Sequence, residues 1–173
     1  MKGFYIAVKK FSNILGLIVQ YITAIIIIFL LLLSVMQVIL RTFNLPQMGI
    51  EELMQFPVIW MYMLGGACAS FTRTHIDCGI LDSFVKNKKV IEIEAIIKTI
   101  LSFIVCVIII NWTNSFLQYC FKTNKISVVL GIPWTIANVA IMAGLILMLF
   151  FTVVEFVERV CEFIKPELKE VEL

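Results

Sequence analysis

The sequence predicts an all-α integral membrane protein: a four-helix domain with N- and C-termini in the cytoplasm and short interfacial amphipathic helices. Three observations carry that prediction. Four stretches hold no charged side chain at all, thirty residues over 11–40, twenty over 53–72, twenty-three over 99–121 and twenty-nine over 126–154. A helix needs roughly 20 such residues, at about 1.5 Å each, to cross the hydrocarbon, and no water-soluble core is large enough to hide four of them. Composition agrees, with 61% apolar and 15% charged residues and a mean hydropathy of +1.03, far outside soluble globular chains. The basic residues are also unevenly placed. Lys2, Lys9, Lys10, Arg73, Lys86, Lys88, Lys89, Lys98, Arg159, Lys165 and Lys169 lie on the two terminal segments and the middle connection, against only Arg41, Lys122 and Lys125 on the other two. By the positive-inside rule, both termini and the middle connection face the cytoplasm.

Each element follows in order. Residues 1–13 read as an N-terminal interfacial segment, with Phe4, Tyr5, Val8 and Phe11 spaced to lie on the bilayer surface. Residues 14–160 form the four-transmembrane-helix domain, with spans at about 14–40, 51–72, 95–121 and 133–157. The first span is Ile/Leu-rich, and in lipid the internal hydrogen bonding of a helix overrides weak β-branched propensity. Its run Ile25–Leu33 sits in a pattern too long for a cleaved signal core. A turn over 44–49 follows, and Pro57 is expected to kink the second span. The connection over 74–94 places Ile76, Ile80, Leu81, Phe84 and Val85 at helical spacing, which suggests a helix lying on the membrane surface. Pro133 suits the first turn of the fourth span and Trp134 the headgroup level. From Glu155 the chain is expected to become polar and partly frayed, and 161–173 is a cytoplasmic tail. No internal repeat is present.

The spans are informative for what they lack. Transport and proton relay mark themselves by ionisable groups facing a cavity or partner, and such groups stand here at the span ends. Gln20, Ser34, Gln37, Asn111, Thr113, Asn114 and Asn138 read as scattered polar residues. Pro57 with Gly65-Gly66 is one helix interruption, without the matching second that a broken-helix transporter site needs. The five cysteines, Cys68, Cys78, Cys106, Cys120 and Cys161, form no C-x-x-C pair, so they are expected to pack as small hydrophobes, with no disulfide or structural zinc. His75 is the only histidine, too few for a bis-histidine haem anchor. It reads either as a hydrogen-bonding boundary residue or as a metal or proton site, for which Asp77 does not complete a ligand set. No nucleophile–base pair or phosphate-cradling loop is visible, so the chain is not expected to be an enzyme or to bind nucleic acid.

The charges flanking the first hairpin are the best functional lead. Arg41 ends one span, and Glu51 and Glu52 begin the next. Two readings stand: a cap in which glutamates meet the helix dipole, or a pair of Arg41 with Glu51 or Glu52 that fixes the interhelical angle and must be well satisfied near lipid. Trp60 and Tyr62 read as packing or belt aromatics. Gly65, Gly66, Ala67 and Ala69 form a small-residue face suited to close helix approach, within this subunit or with another.

Those same residues carry a resemblance. Arg41-Thr42-Phe43-Asn44, then Glu51-Glu52-Leu53, Trp60, Leu64-Gly65-Gly66-Ala67, Arg73-Thr74-His75-Ile76-Asp77 and later Leu130-Gly131-Ile132-Pro133-Trp134 resemble the small membrane subunit of tripartite ATP-independent periplasmic (TRAP) transporters, the DctQ type. The resemblance covers nearly the whole chain and is most specific over 41–77. The chain departs from the pattern at Met48-Gly49-Ile50, where the family has an aromatic, and at Pro57. The resemblance implies a four-helix scaffold bound to a larger, elevator-type membrane subunit in the bacterial inner membrane. That large subunit would bind sodium and an organic acid, of the C4-dicarboxylate or sialic acid class, delivered by a periplasmic binding protein. The small subunit itself would need no cofactor and would contact its large partner, the binding protein and membrane lipids. Two rivals belong to other classes: a small multidrug-type exporter, which needs an acidic residue within a span, and a respiratory membrane anchor, which needs haem ligands or a polar quinone site.

Overall fold

The computed structural model describes residues 2–73 and 88–164, with side chains over 8–47, 49–73 and 93–161. Four helices make up this part of the chain: α1 (Lys2–Thr42), α2 (Met48–Thr72), α3 (Lys88–Thr123) and α4 (Thr135–Ile164). All four are long and apolar enough to cross a membrane. They run up, down, up and down, so α2 and α4 are parallel. The α1–α2 turn and the α3–α4 loop share one end of the molecule, here the hairpin end; the opposite end, where α1 begins and α4 ends, is the terminal end.

The packing order differs from the chain order. α4 packs broadly against both α2 and α3, α1 packs mainly on α2 and only slightly on α4, and α1 and α3 share no extensive contact. The helices therefore form a row with α2 and α4 inside and α1 and α3 outside. On α1 the covered positions are Ser12, Gly16, Val19, Thr23, Leu30 and Leu33, with Ile26 and Gln37 half-covered. Their spacing alternates between three and four residues, the seam of a left-handed coiled coil. Everything off that seam is mostly exposed aliphatic surface. On α4, Ala137, Ala140, Gly144, Phe151, Val154 and Glu158 trace a similar seam. Ala137, Ala140 and Ala67 of α2 are wholly buried.

Small residues set the α2–α4 distance. A Cβ at Gly144 would stand 2.6 Å from Met63 Cβ and 3.1 Å from Met63 backbone atoms. Only glycine permits that approach, the usual reason for small residues at membrane helix crossings. A cluster of Val19, Leu64, Ala67 and Phe151 fills the middle, with Trp60, Cys68 and Phe71 packed against it. Phe71 and Phe151 pair at 5.4 Å between ring centroids. Thr23 donates to Val19 O at 2.8 Å, so its hydroxyl is satisfied within its own helix.

Three helices end on a left-handed residue that is not glycine: Asn44, Arg73 and Asn124. At α1 the pattern is a Schellman motif, with Asn44 N–H donating to Arg41 O and Leu45 N–H to Leu40 O. Asparagine tolerates this conformation well, whereas arginine bears a steric cost of roughly 1 kcal/mol or more.

Several expectations need correction. α1 is continuous from Lys2, with no break between the expected interfacial segment and the first span. Pro57, where a kink is expected, lies inside one continuous helix, which leaves that expectation standing. The fourth helix starts at Thr135, which leaves Pro133 in the preceding loop, where its carbonyl accepts from Ile136 N–H. The frayed tail expected from Glu155 is helix as far as Ile164, because Glu155 and Glu158 find cationic partners. Of the small-residue face, Ala67 serves the interior as expected. Gly66 faces only the flexible tip of Met148, and a methyl group added at Gly65 would meet no atom within 4 Å. The expected surface helix over 74–94 lies largely outside the described residues.

Gly144→Ala should therefore lower the detergent melting stability by about 1–3 kcal/mol, the usual cost of overpacking. Gly65→Ala should leave it unchanged or raise it slightly, since glycine inside a helix is the poorer residue by roughly 0.5–1 kcal/mol. A fluorescence-detected thermal melt of both variants checks the contrast.

Candidate functional site

The polar chemistry of the chain gathers at the two ends of the α2–α4 pair. At the hairpin end, the residues between α3 and α4 fold into a tight loop. Ser127 N–H donates to Ile132 O at 2.9 Å and Trp134 N–H to Lys125 O at 3.0 Å, with an antiparallel bridge between Ile126 and Pro133. Gly131 takes a φ of 66°, a conformation glycine adopts at little cost. This folding turns three successive backbone N–H groups, of Val128, Val129 and Leu130, to one side.

Glu52, in the second turn of α2, fills that concavity. Its Oε1 accepts from Val128 N–H, and its Oε2 accepts from Val129 and Leu130 N–H, each at 2.9 Å. Successive N–H groups around one anion form a nest, and the bonds to a charged acceptor are stronger than neutral ones. Ser127 is buried beside them. Phe56, one turn further along α2, stacks on Trp134 at 5.4 Å. Glu51 takes a different partner, accepting from Gln37 Nε2 of α1 at 3.2 Å.

The two adjacent acids thus divide their work between α1 and the α3–α4 loop. The pairing of Arg41 with Glu51 or Glu52 is not formed: among the described residues Arg41 is exposed and makes no ion pair. The apolar side chains at this end are strongly exposed, notably Phe43 at 70% and Val128 at 96%.

At the terminal end, Arg73 caps α2 and forms an ion pair with Glu158 of α4, whose residue is only 6% exposed. Glu155 accepts from Arg159 Nε and Nη2 at 2.9 and 2.6 Å, and Lys98 meets Glu94 at 2.7 Å on α3. Two clefts open beside these charges. One of about 540 Å³ runs between α2, α3 and α4 past Arg73, Lys98, Thr99 and Arg159. The other, about 390 Å³, lies between α1, α2 and α4 past Ser12, Asn13 and Glu158. Among the described residues no three His, Cys, Asp or Glu side chains gather as a metal site requires.

Of the residues singled out in the sequence, the structure joins Glu52 with Trp134 through the loop and Phe56. Trp60 packs on the core, Asn44 caps α1, and His75 and Asp77 lie outside the described residues. Glu158 and Gly144 were not singled out, and Gln37 stood only among the scattered polar residues. An acid four residues after a hydrophobic α4 seam position, and a glycine in register with two alanines, are the signals that mark Glu158 and Gly144.

Comparison with known families gives a match. The family described as Tripartite ATP-independent periplasmic transporters, DctQ component, matches residues 30–162. No curated protein matches the chain.

Two outcomes test the pins. Glu52→Ala should speed amide hydrogen exchange at Val128, Val129 and Leu130 while α1 amides keep their protection, with Glu52→Gln intermediate; mass-spectrometric exchange in detergent reads this. Arg73→Ala and Glu158→Ala should not add, since removing both partners spares the cost of one buried unpaired charge. A double-mutant cycle on melting stability should return a coupling of about 1 kcal/mol or more.

Proposed function

The chain belongs to the DctQ family, the small membrane component of TRAP transporters, and from that premise we propose that it braces a large membrane subunit during sodium-driven import of an organic acid. The acid is of the C4-dicarboxylate or sialic acid class, and a periplasmic binding protein delivers it. The large subunit moves, elevator-fashion, and holds the sodium and substrate sites. The family match across 30–162, which takes in the last third of α1, all of α2 and α3 and nearly all of α4, is the observation that carries this reading.

The build of the chain supports it. Ion pairs stand at the ends of the helices, and between them the α2–α4 contact is aliphatic, aromatic and small side chains. A body of that kind resists shear and leaves ions no polar path through its middle. The distribution of lysine and arginine supports a placement in the bacterial inner membrane with the termini in the cytoplasm. The hairpin end then faces the periplasm, and its pinned loop, with Phe43 and Val128 outermost, becomes the surface offered to the binding protein. The exporter and respiratory-anchor readings are families of a different kind from the one matched.

Co-expression with the large subunit and the binding protein, purification in detergent and reconstitution into proteoliposomes test the proposal. The chain should co-purify with the large subunit, and sodium-driven uptake should require all three proteins. Uptake by this chain alone, or by the large subunit equally well without it, would sink the accessory role.

A further inference from the structure

α3 has one covered side. Over 99–121 only Thr99, Cys106, Ile110, Thr113, Leu117 and Cys120 are even partly covered, and these face α4; every other residue there is exposed. At 100° per residue, Asn111, Asn114 and Gln118 fall together on one exposed flank, roughly 110° around the helix from the covered side, so polar residues that look scattered in the sequence form one stripe. Asn111 stands near the midpoint between Lys98 and Lys122, the charges that bracket the span. Asn114 is about 5 Å closer to the hairpin end. Both lie at hydrocarbon depth.

None of the three carboxamides makes a side-chain hydrogen bond among the described residues, whereas neighbouring Ser115 is satisfied by Asn111 O at 3.3 Å. Each carboxamide offers two donors and an acceptor, and lipid tails can answer none of them. Beyond Tyr21, the outer face of α1 is the opposite case. Ile25, Ile28, Leu31, Leu32 and Val35 are exposed there and purely hydrocarbon, which lipid covers without penalty. One flank of the row suits lipid and the other does not.

We infer that the Asn111–Asn114–Gln118 stripe seats a transmembrane helix that carries its own hydrogen-bonding side chains. With the chain read as the small subunit, as proposed above, that helix belongs to the large membrane subunit, and α1 is turned to the bilayer. The stripe supplies register: carboxamides at three heights can be matched at only one sliding position, which a smooth aliphatic face does not enforce.

The experiment is photo-crosslinking in the co-expressed, detergent-purified complex. A benzoylphenylalanine replaces Ser115 beside the stripe or, separately, Ile28 or Leu32 on α1. Capture of the large subunit from position 115 and not from 28 or 32 is the expected result. In parallel, Asn111→Leu with Asn114→Leu should cut the large subunit recovered with this chain about tenfold, the scale of two interhelical hydrogen bonds in a membrane, while Ser34→Leu on α1 leaves recovery unchanged. Capture of a second copy of this chain from 115, or of the large subunit from α1 alone, overturns the assignment while the accessory role stands. If the unaltered chain does not co-purify with the large subunit, the accessory role itself falls.

Discussion

Two helices that run in the same direction cannot be joined by a short turn, so the contact between α2 and α4 has to be held by side chains alone. Along its length it is held by closeness: Ala67, Ala137, Ala140 and Gly144 let the backbones approach until Met63 rests on bare glycine. At its ends it is held by charge. Glu52 gathers three N–H groups of the loop that leads into α4, and Arg73 grips Glu158. The division follows from solvation. An ion pair in hydrocarbon must offset a large desolvation cost, while near the headgroups water softens it, so polar pins belong at the ends and dispersion contacts between them.

The outer helices depend on that pair. α1 lays a seam of small and polar residues along α2, and α3 leans on α4 with one narrow stripe. Arg73 shows the coupling at the level of one residue. Its left-handed backbone ends α2, which frees the chain to turn, and its guanidinium is then placed to reach α4. The steric cost of that conformation in a non-glycine residue is offset by the ion pair, so helix termination and helix–helix docking are one event.

How much of this was legible in the sequence depends on what each signal is made of. The four spans were plain, because the absence of charge over twenty or more residues has no other use. The partners of those spans were not. On α1 apolar residues, Ile and Leu foremost, stand on every side of the helix, so hydrophobic periodicity, which marks the buried face of a soluble helix, says little about which side is covered. The buried face is written instead in the small and polar residues Ser12, Gly16, Thr23 and Gln37. Glu52 was singled out, yet its acceptor role was hidden, because its partners are backbone groups 76 to 78 residues away that no side-chain pattern announces. Arg41 drew attention as the nearest opposite charge along the chain, and proximity in sequence misled. The resemblance over 41–77 found the family from loop and cap residues such as Asn44, whose left-handed backbone restricts what can stand there.

The unequal lengths of the uncharged stretches have a consequence for the surrounding membrane. The stretch on α1 covers thirty residues and that on α2 twenty, about 45 Å against 30 Å of apolar rod. The hydrocarbon of a typical bilayer is about 30 Å thick, so α2 fits it upright and its neighbour does not. Lipid around α1 must stretch, or α1 must slant, and each response costs a fraction of a kcal/mol per Å of mismatch. The α1 flank therefore meets the membrane on different terms from its neighbour, either leaning across the bilayer or drawing a thicker collar of lipid around itself.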